Sequence, residues 1–90
     1  MTYAKVDVPI HNIVKRRFAG MLPAGRLFEV RAAEAEGYTA ITVYIANLTD
    51  DARLATRAKR LAREVADDLL TQGYPTAIYV KTYDPRTRRV

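Results

Sequence analysis

The stretch that decides the fold is residues 38–48, which read YTAITVYIANL. The aliphatic residues Ile41, Val43 and Ile45 recur at every second position, and Tyr44 lies between two of them. Side chains alternate between the two faces of a strand. The stretch therefore predicts a strand with an aliphatic face toward the core and a tyrosine-bearing face away from it.

Three further stretches alternate in the same way and predict strands at 2–8, 26–34 and 76–83. In each of them the aliphatic residues occupy alternate positions, and the polar or aromatic residues occupy the positions between them. A Glu-Gly pair at 36–37 separates 26–34 from 38–48. A short connection of this kind joins antiparallel neighbours, so these two strands predict a hairpin.

Two stretches have helical spacing instead. Residues 10–22 carry apolar side chains three or four positions apart and end at the breaker Pro23-Ala24-Gly25. The second helix is predicted to start at a cap formed by Thr49 or Asp50 and to stop at Gly73. Its apolar stripe consists of Leu54, Ala58, Leu61, Val65 and Leu69.

The predicted order is strand, helix, strand, strand, helix, strand. This order favours an α+β, ferredoxin-like βαββαβ fold, in which a four-stranded antiparallel sheet of order 4-1-3-2 carries both helices on one face. The alternative omits the strand at 2–8 and leaves αββαβ, similar to the core of a type II KH domain. Either arrangement predicts one compact domain over residues 1–85, followed by a short basic tail at 86–90.

The composition favours a binding protein over an enzyme. The 90 residues contain no cysteine, no serine and one histidine, His11, so the usual acyl-transfer nucleophiles and clustered metal ligands are missing. No catalytic residue, metal or cofactor is therefore expected. No uncharged run approaches the 18–20 residues of a membrane span, and the absence of cysteine fits a reducing compartment, so a cytoplasmic location is expected.

The net charge of +5, with an isoelectric point near 9.8, favours an anionic partner. The tyrosines point to where that partner would bind. Five of the six fall on the predicted outer sheet face, and an exposed aromatic face is typical of an interaction surface. The candidate binding residues are Tyr3, Lys5, Arg31, Tyr44, Tyr79, Lys81, Tyr83, Arg86, Arg88 and Arg89.

Residues 43–48 (VYIANL) resemble the RNP2 hexamer of the RNA-recognition motif, and a predicted helix follows them as in that family. In the family, the second residue of the hexamer is an exposed aromatic that stacks on a base. The resemblance covers these six residues, which lie on the third predicted strand, whereas the family carries the hexamer on the first. It implies a base-stacking role for Tyr44.

Three interpretations of the tyrosine face stay open. It fits the surface of a binding module for RNA or single-stranded nucleic acid, in which aromatics stack on bases and cations contact phosphates. It also fits a homodimer that packs two such faces together, as in dimeric α+β barrels, with a structural or small-ligand-binding role. Thirdly, tyrosine simply favours strands.

Overall fold

Two helices and three strands form the fold. The computed structural model describes the backbone of residues 3–86 and the side chains of residues 10–86. The elements are α1 Tyr3–Met21, β1 Phe28–Ala35, β2 Tyr38–Ala46, α2 Ala52–Thr71 and β3 Thr76–Tyr83, with a 3₁₀ turn at Leu48–Asp50. The prediction of an α+β protein is confirmed.

The strands form a mixed sheet of order β1-β2-β3. Strands β1 and β2 make the predicted hairpin, with Ala35 paired to Tyr38 across the two-residue turn. Gly37 in that turn has φ 87, a conformation that glycine adopts without strain. Helix α2 then crosses over the sheet, so that β3 pairs with β2 in parallel.

The prediction of a four-stranded antiparallel sheet is wrong for residues 3–86. Residues 3–8, predicted as part of a strand, belong to α1, and Thr2 lies outside the described residues. The order 4-1-3-2 would place that strand between 38–48 and 76–83, but these two pair directly, from Thr39 with Thr76 to Ala46 with Tyr83. A short alternation does not distinguish strand from helix by itself, and here the sheet leaves no central position for it.

The observed order, helix, hairpin, helix, strand, is the order of the alternative without the first strand. The likeness of that alternative to a type II KH core stays a prediction. Gly20, in the last turn of α1, and Gly25, in the loop after it, do not form the GxxG step with which KH domains clamp a nucleic-acid backbone.

The core lies between the sheet and the two helices. Strand β2 contributes Ile41, Val43 and Ile45, all fully buried, which confirms the core face predicted from its alternation. The helices bury residues at helical spacing: Ile10, Val14 and Phe18 from α1, and Leu54, Ala58, Ala62, Val65 and Leu69 from α2. Both helices therefore cover the same face of the sheet.

Both ends of α2 are fixed by local hydrogen bonds. At its start, Asp51 Oδ1 accepts from the Leu54 amide at 3.0 Å. At its end, the Tyr74 amide donates to the Leu69 carbonyl at 2.8 Å and the Gly73 amide donates to the Leu70 carbonyl at 3.0 Å. This is a Schellman motif, and Gly73 has the positive φ of 94° that it requires.

Replacing Asp51 with alanine should lower the free energy of unfolding by about 1 kcal/mol, because the amide of Leu54 loses its acceptor. Urea denaturation measures the change. Asp50→Ala is the matched control, since the neighbouring exposed carboxylate makes no such capping bond and should be close to neutral. Equal losses in the two variants would contradict the capping role.

Candidate nucleic-acid interface

The face of the sheet opposite the helices is not covered by any other element within residues 3–86. Strand pairing arranges its side chains in rows across the sheet, because paired residues of neighbouring strands share a face. The rows from β1 to β3 are Ala33, Ala40 and Ala77; then Arg31, Thr42 and Tyr79; then Glu29, Tyr44 and Lys81. We call this surface the open face.

Four tyrosines belong to the open face. Tyr44 lies at its centre on β2, and Tyr79 and Tyr83 lie on β3 on the same side. Tyr38 begins β2 beside the hairpin turn. Tyr79 is 50% exposed and Tyr38 is 42% exposed, while Tyr44 and Tyr83 are half-buried. The rings of Tyr44 and Tyr79 are diagonal neighbours on adjacent strands, because Tyr44 pairs with Lys81, two residues beyond Tyr79.

Arg31 is held against the ring of Tyr44. Its guanidinium carbon lies 5.4 Å from the ring centroid, within the range of a cation–π contact. Its Nε also donates to Glu29 Oε2 at 3.2 Å. Because this carboxylate offsets the positive charge, Arg31 is a weaker candidate for binding an anion than a cation without such a partner.

Lys81 differs from Arg31 in that no carboxylate of the described residues pairs with it. It is exposed beside Tyr44 in the same row, and it forms no ion pair among the residues that the structure describes. Along β3 it lies between Tyr79 and Tyr83, which share its face. An anion bound by its ammonium group would therefore lie next to three rings.

Tyr3 and Lys5 do not belong to the open face, which corrects their predicted position on a central strand. Both lie in the first turns of α1, and their side chains are outside the described part of the chain. Their assignment to the face depended on a strand at 2–8, and it fails with that strand. The central strand of the sheet is β2 alone.

The basic tail is described only at its start. Arg86 follows β3 in a turn, where its amide donates to Asp84 Oδ1 at 2.9 Å and its Nε lies 3.4 Å from the same oxygen. The hydrogen bonds from Arg86 hold the pKa of the Asp84 carboxyl below its ordinary value, and the bond from the Arg86 amide contributes most. Arg88 and Arg89 lie outside the described residues.

Another cleft, of about 550 Å³, lies at the end of the sheet and is lined by the loop after α1 and by Asn47, Asp50 and Asp51. Its polar groups already bind one another: Arg26 donates to the Ala46 carbonyl at 2.9 Å and lies 3.9 Å from Asp51. These contacts tie the loop to the sheet. The described residues contain no group of three histidine, cysteine or carboxylate side chains that could hold a metal ion.

Two cations of α2, Lys59 and Arg63, are not among the candidate binding residues predicted from the sequence, and they line a groove. With Lys81 they line a space between α2 and the outer edge of β3. The sequence does contain an indication of this groove. The two cations are four residues apart and therefore lie on one flank of the helix, together with the small residues Ala62 and Ala66.

No helix within residues 3–86 is long and apolar enough to cross a membrane. No protein-family model, curated protein or solved structure matches the chain. Tyr44 has the position on a central strand that the RNP2 resemblance implies, and the resemblance itself extends no further than those six residues.

Proposed function

We propose that the open face binds single-stranded nucleic acid, with RNA as the preferred candidate, and that the protein is a binding module and not an enzyme. The observation that carries the proposal is the placement of the Lys81 ammonium, free of ion pairs among the described residues, beside the rings of Tyr44 and Tyr79. Sequence-tolerant binding of single strands uses this combination, with rings for bases and cations for phosphates.

The proposed contacts are few, and this sets the strength of binding. Each stacked base contributes about 1–3 kcal/mol, so Tyr44 and Tyr79 together supply about 2–6 kcal/mol. Lys81 and the arginines that follow β3 add phosphate contacts, which are screened by salt. The stacking alone corresponds to dissociation constants from tens of millimolar to tens of micromolar, and the phosphate contacts shift binding toward the micromolar range, not the nanomolar.

Binding of a fluorescein-labelled 12-nucleotide uridine RNA, followed by anisotropy in 50–300 mM KCl, tests the proposal. Two or three phosphate contacts predict a slope of about −1.4 to −2.1 in a plot of log K against log salt, at about −0.7 per contact. A duplex RNA of the same length is the control and should bind more weakly, because its bases are not free to stack. The proposal fails if the single strand does not bind at 50 mM salt.

A second candidate is a homodimer that packs two open faces together. The row of Glu29, Tyr44 and Lys81 is self-complementary: across a two-fold axis Glu29 of each copy can meet Lys81 of the other. The row of Ala33, Ala40 and Ala77 would allow close approach.

The size of the open face favours the nucleic acid over the dimer. Three strands of about eight residues measure about 14 by 26 Å, which gives a flat area on the order of 400 Å². Stable interfaces bury about 800 Å² on each partner. Sedimentation equilibrium distinguishes the two candidates: a dimer that persists in high salt and is dissociated by Lys81→Glu, without binding RNA, would favour the second.

A further inference from the structure

Within residues 3–86, no strand pairs with the outer edge of β3, so its peptide groups have no strand partner there. The Thr39 amide donates to the Pro75 carbonyl at 3.1 Å, and the Asn47 amide donates to the Tyr83 carbonyl at 2.9 Å. A strand ladder repeats every two residues, so the odd-numbered residues of β3 bond to β2. The N–H and C=O groups of Ile78 and Val80 therefore point away from the sheet, into the groove beside α2.

This edge groove measures about 540 Å³ and has a basic rim. Ala62 and Ala66 of α2 line it with small side chains, and Lys59, Arg63 and Lys81 surround it. None of these three cations forms an ion pair among the described residues. The groove therefore offers backbone hydrogen-bonding groups and positive charge together.

An apolar hollow of about 370 Å³ continues the groove toward the start of β3. The two share Ala66 and Ala77, and the hollow adds Leu70, Tyr38 and Pro75 to the lining. Leu70 is a large aliphatic side chain that is 59% exposed, whereas Leu54 and Leu69 of the same helix are buried. Asp67 lines this half, so positive charge is confined to the other half.

We propose that the edge groove binds an extended acidic segment of another protein, which adds to β3 as a fourth strand. The peptide groups of Ile78 and Val80 provide the main-chain bonds of such an addition. Carboxylates of the segment lie against Lys59, Arg63 and Lys81, and an apolar side chain lies against Leu70. The groove borders the open face and shares Ala77, Tyr79 and Lys81 with it. Its peptide groups and the cations of α2 do not belong to that face, and the inference does not depend on nucleic-acid binding.

A second copy of the chain fits the groove poorly. Pairing of two β3 edges would bring the same three cations of both copies together, which is repulsive. Pairing of β3 with the β1 edge of another copy meets a different obstacle. The Nε2 of His11, in α1, lies 2.9 Å from the outward-facing Val30 carbonyl. A carbonyl that a second strand would need at this edge is therefore already hydrogen-bonded within the chain.

The test uses the full chain and a synthetic ten-residue peptide of alternating glutamate and valine. Isothermal titration should detect binding in 50 mM salt, and amide hydrogen exchange at Ile78 and Val80 should slow when the peptide is added. The double variant Lys59→Glu/Arg63→Glu should weaken binding by about 10-fold or more, because two attractive contacts become repulsive. A peptide of alternating lysine and valine should not bind.

Arg53→Glu/Arg57→Glu is the matched control, since it makes the same charge change at the same four-residue spacing, on a part of α2 turned away from the groove. It should reduce affinity by no more than about 2-fold through long-range charge. Equal losses in the two double variants would overturn the proposal. Unchanged exchange at Ile78 and Val80 would overturn it too, as would protection of these amides by the uridine RNA in place of the peptide, or self-association through this edge.

Discussion

Replacing Tyr44 and Tyr79 together with alanine should weaken binding of the uridine RNA by at least about 30-fold. Each ring supplies about 1–3 kcal/mol of stacking, and 1.4 kcal/mol is a factor of ten in affinity. The salt dependence should stay the same, because neither tyrosine contacts phosphate. Anisotropy titrations in the same salt series measure both quantities.

The chain contains its own control for that experiment. Tyr74 is 43% exposed, similar to Tyr79, but it lies in the loop before β3 and not on the open face. Tyr74→Ala should leave affinity unchanged. Tyr44→Phe/Tyr79→Phe should retain most of the affinity, since the rings remain. If Tyr74→Ala weakens binding as much as the double alanine variant, the open face is not the binding surface.

Replacing Phe18 with alanine should lower the free energy of unfolding by about 3–5 kcal/mol. Phe18 is fully buried between α1 and the sheet and is among the largest completely buried side chains in the described part of the chain. Its removal costs both the transfer of the ring and the cavity left behind. A domain of this size is stable by about 5–14 kcal/mol, so the loss takes a large part of the total.

Urea denaturation followed by circular dichroism measures this loss. Phe18→Leu is the matched control, because it stays apolar and keeps much of the volume, and should cost about 1–2 kcal/mol. A loss below 1 kcal/mol in the alanine variant would mean that α1 contributes little to the core. That result would also question the exclusion of residues 3–8 from the sheet.

Alternation predicted the faces of the strands but not their number. The parity of 38–48 and of 76–83 placed Tyr44, Tyr79 and Tyr83 together opposite the core, and the structure agrees. The same parity argument at 2–8 failed, because a short alternation is also compatible with a helix. Helical packing of the neighbouring Ile10 and Val14 on the core decides against a strand there.

The candidate site was predictable only along each strand. Sequence alternation assigns Tyr44 and Lys81 to the same kind of face, but the parallel register puts them in one row. Neither the contact of Arg31 with the Tyr44 ring nor its bond to Glu29 could be predicted, since both depend on side-chain conformation across the hairpin.

The sequence by itself determined which side of each observed strand faces the core, where the hairpin turns and where α2 ends, because these depend on local periodicity and on the conformational freedom of glycine. Only the tertiary structure decided that β2 and β3 pair directly, which removes Tyr3 and Lys5 from the open face and leaves the outer edge of β3 without a partner strand in the described part of the chain. The reason is that strand order and register are set by contacts between residues far apart in sequence, which no local pattern specifies.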